Sequence, residues 1–476
     1  MILVIVLALI FDFTNGFHDT ANAMATPIAT RALKPRTAVA LAAVLNLVGA
    51  FLSTHVALTI SKGLINEDPS GGGVAITPEF VFAAVLAAII WNVVTWLFGL
   101  PSSSSHALFG GLIGSALVGA GFGAISWETL LDKVLLPAII APVVAGLTAY
   151  LATRLVYWVT RRHDGNPNGR GRFKIAQIFS SSLVALSHGT NDAQKTMGII
   201  TLVLISAGAI DRDAGVPFWV VVSCALAIAI GTYSGGWRII KTLGSGITDV
   251  KPAQGFAAET STAVTILASS HLGFALSTTQ VASGSVIGSG LGRRGSKVKW
   301  GTAGRIGVGW LLTLPASAAV GAAFAALVLL GELGVIIATI IGALSLGTMF
   351  LVAMRNRISA DNVMSDVAEA AEAVSLPVQR RRAAAEARRA AAKARRDAQK
   401  AKRAEKAAKA KAKQKAAKKK SKQGGKPAGK GADKAKKAAK AAKAEKSDKA
   451  VNTEKADKAE KADKPEKSAK SQKGAR

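Results

Sequence analysis

Two aspartates stand where a carboxylate needs a reason. Asp19 lies in the stretch NGFHDTANAMAT and Asp192 in LSHGTNDAQKTMG, both set among apolar runs with a His, an Asn and small residues beside them. At bilayer depth an ionised Asp costs at least ~2.5–3.5 kcal/mol on insertion scales, so it must meet a partner or a water-filled cavity. The pair is therefore read as binding a cation or a proton. Two further stretches are rich in hydroxyls and free of charge: LPSSSSH, with Ser102, Ser103, Ser104 and Ser105, and LSTTQ, with Ser277, Thr278 and Thr279. A helix starting at each would aim unpaired N–H groups and a positive dipole end at whatever sits between them. With Lys195 as the basic side chain of the second Asp motif, the set suits a tetrahedral oxyanion carried with a cation.

The elements that position these residues follow from composition. Half of the 476 residues are hydrophobic, yet the chain carries 60 Lys and Arg and a net charge of +31. Those charges divide unevenly: residues 354–476 hold a net +24 and the preceding 353 residues only +7. The body contains apolar stretches at 37–61, 78–100, 104–126, 134–160, 217–237, 304–330 and 333–353, each long enough for the ~20 residues a membrane helix needs. Stretches at 1–26, 175–208 and 253–292 are interrupted by polar residues. The fold class is thus an all-α polytopic membrane protein. Its start, without a basic n-region or an obvious cleavage site, reads as a span and not as a cleaved signal. The single cysteine, Cys224, excludes a disulfide within the chain and any Cys-based metal cluster.

Basic residues cluster at Arg31, Lys34 and Arg36, from Arg154 to Lys174, at Arg238, Lys241 and Lys251, and from Arg293 to Arg305. Placing these inside gives an N-terminus outside and a cytoplasmic tail. It also makes 78–125 and 252–292 re-entrant hairpins whose tips are the two hydroxyl-rich stretches. The spacing repeats: Asp19 to His106 is 87 residues, Asp192 to Gln280 is 88, and GGLIGSAL aligns with GSVIGSGL without a gap. Loop charge makes the two halves opposite in orientation, and inverted repeats with broken helices are a transporter signature. The backbone is expected to break near Gly16 and Gly189. The organisation is one repeat over 1–160, a basic cytoplasmic loop at 161–174, an inverted repeat over 175–330, an added helix at 331–353 and a basic low-complexity tail at 354–476.

The stretches NGFHDTANAMAT, LPSSSSHAL, SHGTNDAQKTMG and LSTTQ resemble the signatures of the inorganic phosphate transporter (Pit-type) family. The resemblance covers residues 1 to about 353 and is closest to the bacterial branch, by the FHDTAN form of the first motif. It implies a secondary symporter of phosphate in the cell membrane, working by alternating access, often as a homodimer, without a cofactor beyond the coupling cation. By motif, Asn22, Asn191, Gln194, Lys195 and the hydroxyls of both tips would bind phosphate. Asp19, Asp192 and His18 would bind the coupling ion, and Glu259, an intramembrane carboxylate, joins that set. His18 has Asn191 as its counterpart, and histidine titrates near physiological pH, so it is the candidate proton carrier. A proton is the favoured ion, with the substrate carried free or as a neutral metal–phosphate complex. The alternatives are sodium coupling or another oxyanion such as sulfate.

His55 and His271 read as packed, hydrogen-bonded histidines and not as ligands, whereas His106 and His188 stay open between capping and binding. Asp12 lies within the first span with no partner legible. The Gly and Ser repeats at 110–121 and 284–292 are packing surfaces and not phosphate loops, since no Gly-Lys-Ser/Thr follows them. An intramembrane enzyme is disfavoured, because Ser and Asp recur as pairs across both halves while a nucleophile and its base would be asymmetric. The tail, Ala/Lys/Arg/Glu-rich from about Val378, lacks the aliphatic and aromatic residues to bury a core. It is expected to be a disordered extension in which Ala and Lys favour transient helix. Its partners would be anionic lipid or another polyanion. Without interleaved aromatics it has no means of specific nucleic-acid binding.

Overall fold

The computed structural model describes residues 1–57, 77–161, 171–211, 213–272, 276–355, 358–359, 396–401, 403–405, 407–413 and 415. The chain divides into two units, Met1–Ala384 and Ala385–Arg476. Twelve helices are named in the first: α1 Ile2–Ala29, α2 Pro35–Ala50, α3 Pro78–Leu97, α4 Ser104–Ala120, α5 Trp127–Val159, α6 Phe173–Ser206, α7 Phe218–Ser234, α8 Trp237–Gly246, α9 Pro252–His271, α10 Thr278–Gly292, α11 Trp300–Val328 and α12 Glu332–Arg355. Among the described residues no strand occurs, and a Thr248–Val298 bridge is isolated. Helix starts follow local chemistry: Pro35, Pro78 and Pro252 occupy the first turn, where a missing N–H costs nothing. Thr77, Ser103 and Ser277 cap α3, α4 and α10 by accepting from the N–H three residues on.

The distribution of polarity is the reverse of a water-soluble protein's. Asp12, Asp19, His188, Asp192, Lys195 and Glu259 are buried, while Leu147, Leu311 and Leu344 on α5, α11 and α12 are 58%, 78% and 67% exposed. Such a surface is stable only against hydrocarbon. Among the described residues five helices, α1, α3, α5, α11 and α12, are long and apolar enough to cross a membrane, and α7 with α8 meet the same length and apolarity only as a pair, bent by 59° at their break. The molecule is an integral membrane protein.

Several expectations change. The backbone does not break at Gly16 or Gly189: α1 runs unbroken for 28 residues and α6 for 34. Those glycines serve close packing instead. A Cβ on Gly16 would overlap the Ile228 carbonyl oxygen of α7, and one on Gly189 would overlap that of Asn46 on α2. The observed break lies between α7 and α8, where Gly235 takes φ +74° and lets the chain turn. The spans read at 37–61 and 104–126 contain helices of only 16 and 17 residues, and residues 58–61 lie outside the described residues. In α4 the reason is visible: the helix starts at a tip buried in the molecule, where Ser102 and Ser103 are 0% exposed. α3 and α4 run antiparallel, with Gly111 against Ala84 and Gly119 near Phe80, so they form a hairpin. α9 and α10 also pack together, the start of one meeting the end of the other where Gln254 Nε2 donates to Ser289 Oγ at 3.3 Å.

The described part of the second unit is helical and exposed, where a disordered extension was expected. Its Ala, Lys, Arg and Glu are strong helix formers, and Lys409 Nζ lies 2.6 Å from Glu405 Oε1 one turn earlier. The rest of that tail lies outside the described residues, as does most of the 161–174 loop.

The packing at Gly16 yields a stability prediction. Ala is the better helix former by ~1 kcal/mol, which alone would favour Gly16→Ala. Its methyl, however, meets a backbone oxygen that has no rotamer to yield, and overpacking of this kind costs ~1–3 kcal/mol. Gly16→Ala is expected to lower thermal stability in detergent, and an unchanged or raised Tm would show that α1 and α7 are not packed this closely.

Candidate functional site

α1 and α6 each place an Asp at mid-helix, and the two hairpin tips converge on the pair. Asp19 Oδ1 lies 2.6 Å from His18 Nδ1 and accepts from Thr279 Oγ1 at 3.0 Å. Its Oδ2 accepts from Ser104 Oγ at 3.2 Å and from Thr278 Oγ1 at 3.4 Å. Asp192 Oδ1 is paired with Lys195 Nζ and accepts from Asn191 Nδ2 at 3.0 Å. Its Oδ2 accepts from Thr278 Oγ1 at 3.0 Å and lies 2.8 Å from His188 Nε2. Thr278 therefore stands between the two carboxylates with one hydrogen to give, so it serves one of them at a time. Asn22 donates to Thr278 and Thr279 at 3.4 and 3.1 Å. Lys195 also donates to Ser105 Oγ at 2.6 Å and to the Leu276 carbonyl at 3.2 Å, tying α6 to both tips.

The cluster unites most of the residues singled out from the sequence, drawn from α1, α6, α4 and α10. All of it is buried. Some residues take narrower roles than expected. Ser103 and Ser277 spend their hydroxyl oxygens on capping, accepting from His106 and Gln280 N–H at 3.1 and 3.3 Å. Ser102 donates to Thr95 Oγ1 at 2.7 Å, and both hydroxyls approach His18 Nε2, at 3.4 and 3.3 Å. They hold the ring that addresses Asp19.

Two residues fall outside the cluster. Gln194 is bound to backbone: its Oε1 accepts from Val56 N–H at 2.7 Å and its Nε2 donates to the Thr190 carbonyl. A helical residue two positions beyond Asp192 points to another side of α6, which is why the motif match misleads there. Glu259 on α9 joins a separate buried group. It accepts from Thr26, from Gln177 Nε2 at 3.0 Å and from Ser180 Oγ at 2.5 Å, and Gln177 in turn accepts from Thr30 at 2.6 Å. Thr26, Gln177 and Ser180 are not among the hydrogen-bond partners of Asp19 or Asp192 described above.

His188 is the residue that sequence reading left undecided and the structure places at the centre. Its Nε2 lies 2.8 Å from Asp192 and 3.8 Å from Asp19, and its Nδ1 lies 3.4 Å from Asn46 Oδ1 on α2. The i, i+4 spacing to Asp192 on one helix was the available signal. Asp19, His188 and Asp192 offer ligand atoms all within 4.8 Å of one another, a spacing that suits a shared cation. His106, by contrast, faces Gln280 across the two hairpins, at 3.4 Å.

Residues 15–321, which hold both Asp motifs and both tips, match the phosphate transporter family. The chain belongs to that family. A protein of Mycobacterium tuberculosis described as "Probable low-affinity inorganic phosphate transporter" is 56% identical over 323 residues, covering 68% of this chain and 76% of that protein. Proteins of the same description from Rhizobium meliloti and Bacillus subtilis are 47% and 42% identical, each aligned over 67% of this chain and over 93% and 95% of their own length. Among solved structures, "The sodium-dependent phosphate transporter" superposes with a TM-score of 0.61 at 27% identity, covering 69% of this chain and 99% of its own. The match thus covers most of the membrane body, and residues beyond 321, α12 among them, fall outside it.

Proposed function

We propose that this protein is an inorganic phosphate symporter of the cell membrane, with the Asp19–Asp192 cluster as its shared phosphate and coupling-ion site. The observation that carries the reading is the cluster's charge. Two buried carboxylates, one ammonium and a ring of hydroxyl donors surround a point addressed by the starts of α4 and α10. Their first N–H groups have no intrahelical acceptor and favour an anion. Phosphate entering alone would meet the carboxylates, and like charges 4 Å apart repel by ~4 kcal/mol at an effective dielectric of 20. A cation bound with it offsets that repulsion, so anion and cation bind together and cross together. Ser104, Ser105, Thr278, Thr279, Asn22 and Lys195 supply donors to the phosphate oxygens. Asp19, Asp192 and His188 take the cation, and His18 tunes Asp19.

Paired packing supports an inverted repeat and alternating access. Gly16 meets Ile228 and Gly231 meets Phe13, while Gly189 meets Asn46 and Gly49 meets Leu186. Gly110 and Gly114 meet Leu314 and Ala318, while Gly284 and Gly288 meet Pro142 and Gly146. Advancing each residue of the first half by 172 to 182 positions turns every one of these contacts into its counterpart in the second. Each half thus packs on the other by the same rule, as two equivalent bodies that rock about a shared midplane site would. The positive-inside distribution puts the N-terminus outside and the tail in the cytoplasm.

The coupling ion is read as a proton, from His18 and His188 against the two carboxylates. A sodium ion is the second reading, favoured by the sodium-dependent neighbour. Uptake of labelled phosphate into proteoliposomes, under a pH gradient or a sodium gradient alone, tests both. No phosphate flux under either gradient, with sulfate moving instead, would replace phosphate by another oxyanion. Removal of the chain after Arg357 is expected to leave uptake within about two-fold of the full protein, since the family match ends well before it. A loss beyond ten-fold would make the tail part of the transport machinery.

A further inference from the structure

We propose that Asp12 anchors a second cation site, two turns along α1 from Asp19, which takes up one monovalent cation, a proton or a sodium ion, with each phosphate. It rests on the symport reading above. The structural observation is a group of buried polar atoms with too few partners to satisfy them. Asp12 is 0% exposed, and neither of its carboxylate oxygens has a hydrogen-bond partner among the described residues. Around it the same holds for both amide atoms of Asn15 and for the hydroxyl of Thr196. Asn15 follows Asp12 by three residues and so shares its face of α1. Thr196 faces Asp12 from α6, where His188, Asp192 and Lys195 are the charged or titratable groups nearby, and the Cys224 thiol approaches from α7. On α3, Asn92 is also fully buried with both amide atoms unpartnered, one turn before the Thr95 hydroxyl that reaches His18.

Buried polar groups in native proteins are paired, and a group of unpaired ones calls for a ligand. The chemistry here selects it. A buried carboxylate with the Thr196 hydroxyl as its nearest donor repels anions, and hydroxyl and amide oxygens beside it suit a hard cation. One carboxylate among neutral oxygens balances one positive charge, which favours a monovalent over a divalent ion. The site lies about 10 Å from Asp19 by helical rise, near enough to sense the charge state of the Asp19–Asp192 cluster. A structural Asp would instead be tied down by donors, as Glu259 is by Thr26, Gln177 and Ser180.

Two measurements on the full-length protein test this. In detergent, sodium-22 binding and proton uptake are counted on wild type and on Asp12→Asn, which keeps the shape and removes the charge. In proteoliposomes, the charge moved per phosphate is read from the reversal potential under a pH gradient or a sodium gradient. The expected result is one cation fewer bound and one positive charge fewer per phosphate in Asp12→Asn. The gradient whose effect falls in the variant identifies the ion. Unchanged cation binding and an unchanged charge ratio would overturn the proposal. Should Asp12→Asn fail to insert, Thr196→Val takes its place, with a rise of about ten-fold in half-saturating cation expected, equal to ~1.4 kcal/mol. No shift in that variant would overturn the proposal equally. Wild-type protein that moves no phosphate, yet loses one bound cation on Asp12→Asn, would remove the symport reading and leave this site standing.

Discussion

Asp19→Asn is expected to reduce gradient-driven phosphate accumulation by at least ~100-fold while the protein still inserts and folds. The carboxylate gathers His18, Ser104, Thr278 and Thr279, from three helices, and lies within 3.8 Å of His188. Losing one partner of a buried charged pair costs ~3–5 kcal/mol, and each 1.4 kcal/mol is a factor of ten in an equilibrium. An amide keeps the shape and can still accept from the hydroxyls, so the loss falls on cation binding. Stability should change little, because His188 keeps Asp192 as its partner at 2.8 Å. That separates Asp19 from Asp192, whose removal would leave the Lys195 ammonium buried without its partner. Uptake into proteoliposomes and thermal unfolding in detergent, measured on the same preparation, check the two halves of this statement. Uptake by Asp19→Asn within ten-fold of wild type would remove Asp19 from the coupling site.

The residues explain which parts of this molecule were legible in its sequence. The membrane body was, because apolar length is a composition property that needs no partner to be identified. The Asp19–Asp192 pairing was legible for a related reason: a charge in an apolar run is costly wherever it sits, and two of them at matched spacing imply a meeting place. The hairpin tips followed from the loop charges, which make 78–125 and 252–292 leave and return to one side. The path of the backbone at Gly16 and Gly189 was not legible. A glycine that lets a helix break and a glycine that lets a neighbouring helix approach look alike until the neighbour is known, and Ile228 lies 212 residues from Gly16. Gln194 and Glu259 show the same limit for side chains. Each has the chemistry of a site residue, and its partners, Val56 for one and Gln177 with Ser180 for the other, lie 138 and about 80 residues away. His188 was a matter of direction on the helix. One turn before Asp192 it faces the carboxylate, whereas Gln194, two residues after it, faces away.

Lys195→Met is expected to abolish phosphate uptake and also to lower stability, and the second effect is separable from the first. Lys195 is fully buried, paired with Asp192 and bonded to Ser105 and the Leu276 carbonyl. Methionine fills the same volume, so packing is kept while the Asp192 carboxylate loses its ammonium partner, at a cost of ~3–5 kcal/mol. Replacing the pair together, Lys195→Met with Asp192→Asn, leaves no buried charge uncompensated. The double variant should therefore recover most of the lost thermal stability, with a coupling energy well above the ~0.5 kcal/mol that independent sites show. Transport should not recover with it, because neither the cationic donor for phosphate nor the second carboxylate for the coupling ion is restored. The first half of the motif gives the contrast. Asn22 aligns with Lys195 and carries no charge, so Asn22→Ala removes donors to Thr278 and Thr279 without stranding an ion. It should weaken apparent phosphate affinity by roughly ten-fold, the effect of ~1.5 kcal/mol of lost hydrogen bonding, at nearly unchanged stability. Recovery of both stability and uptake in the double variant would reduce Lys195 to a counter-ion for Asp192, and the anion site would then rest on the two hairpin tips alone.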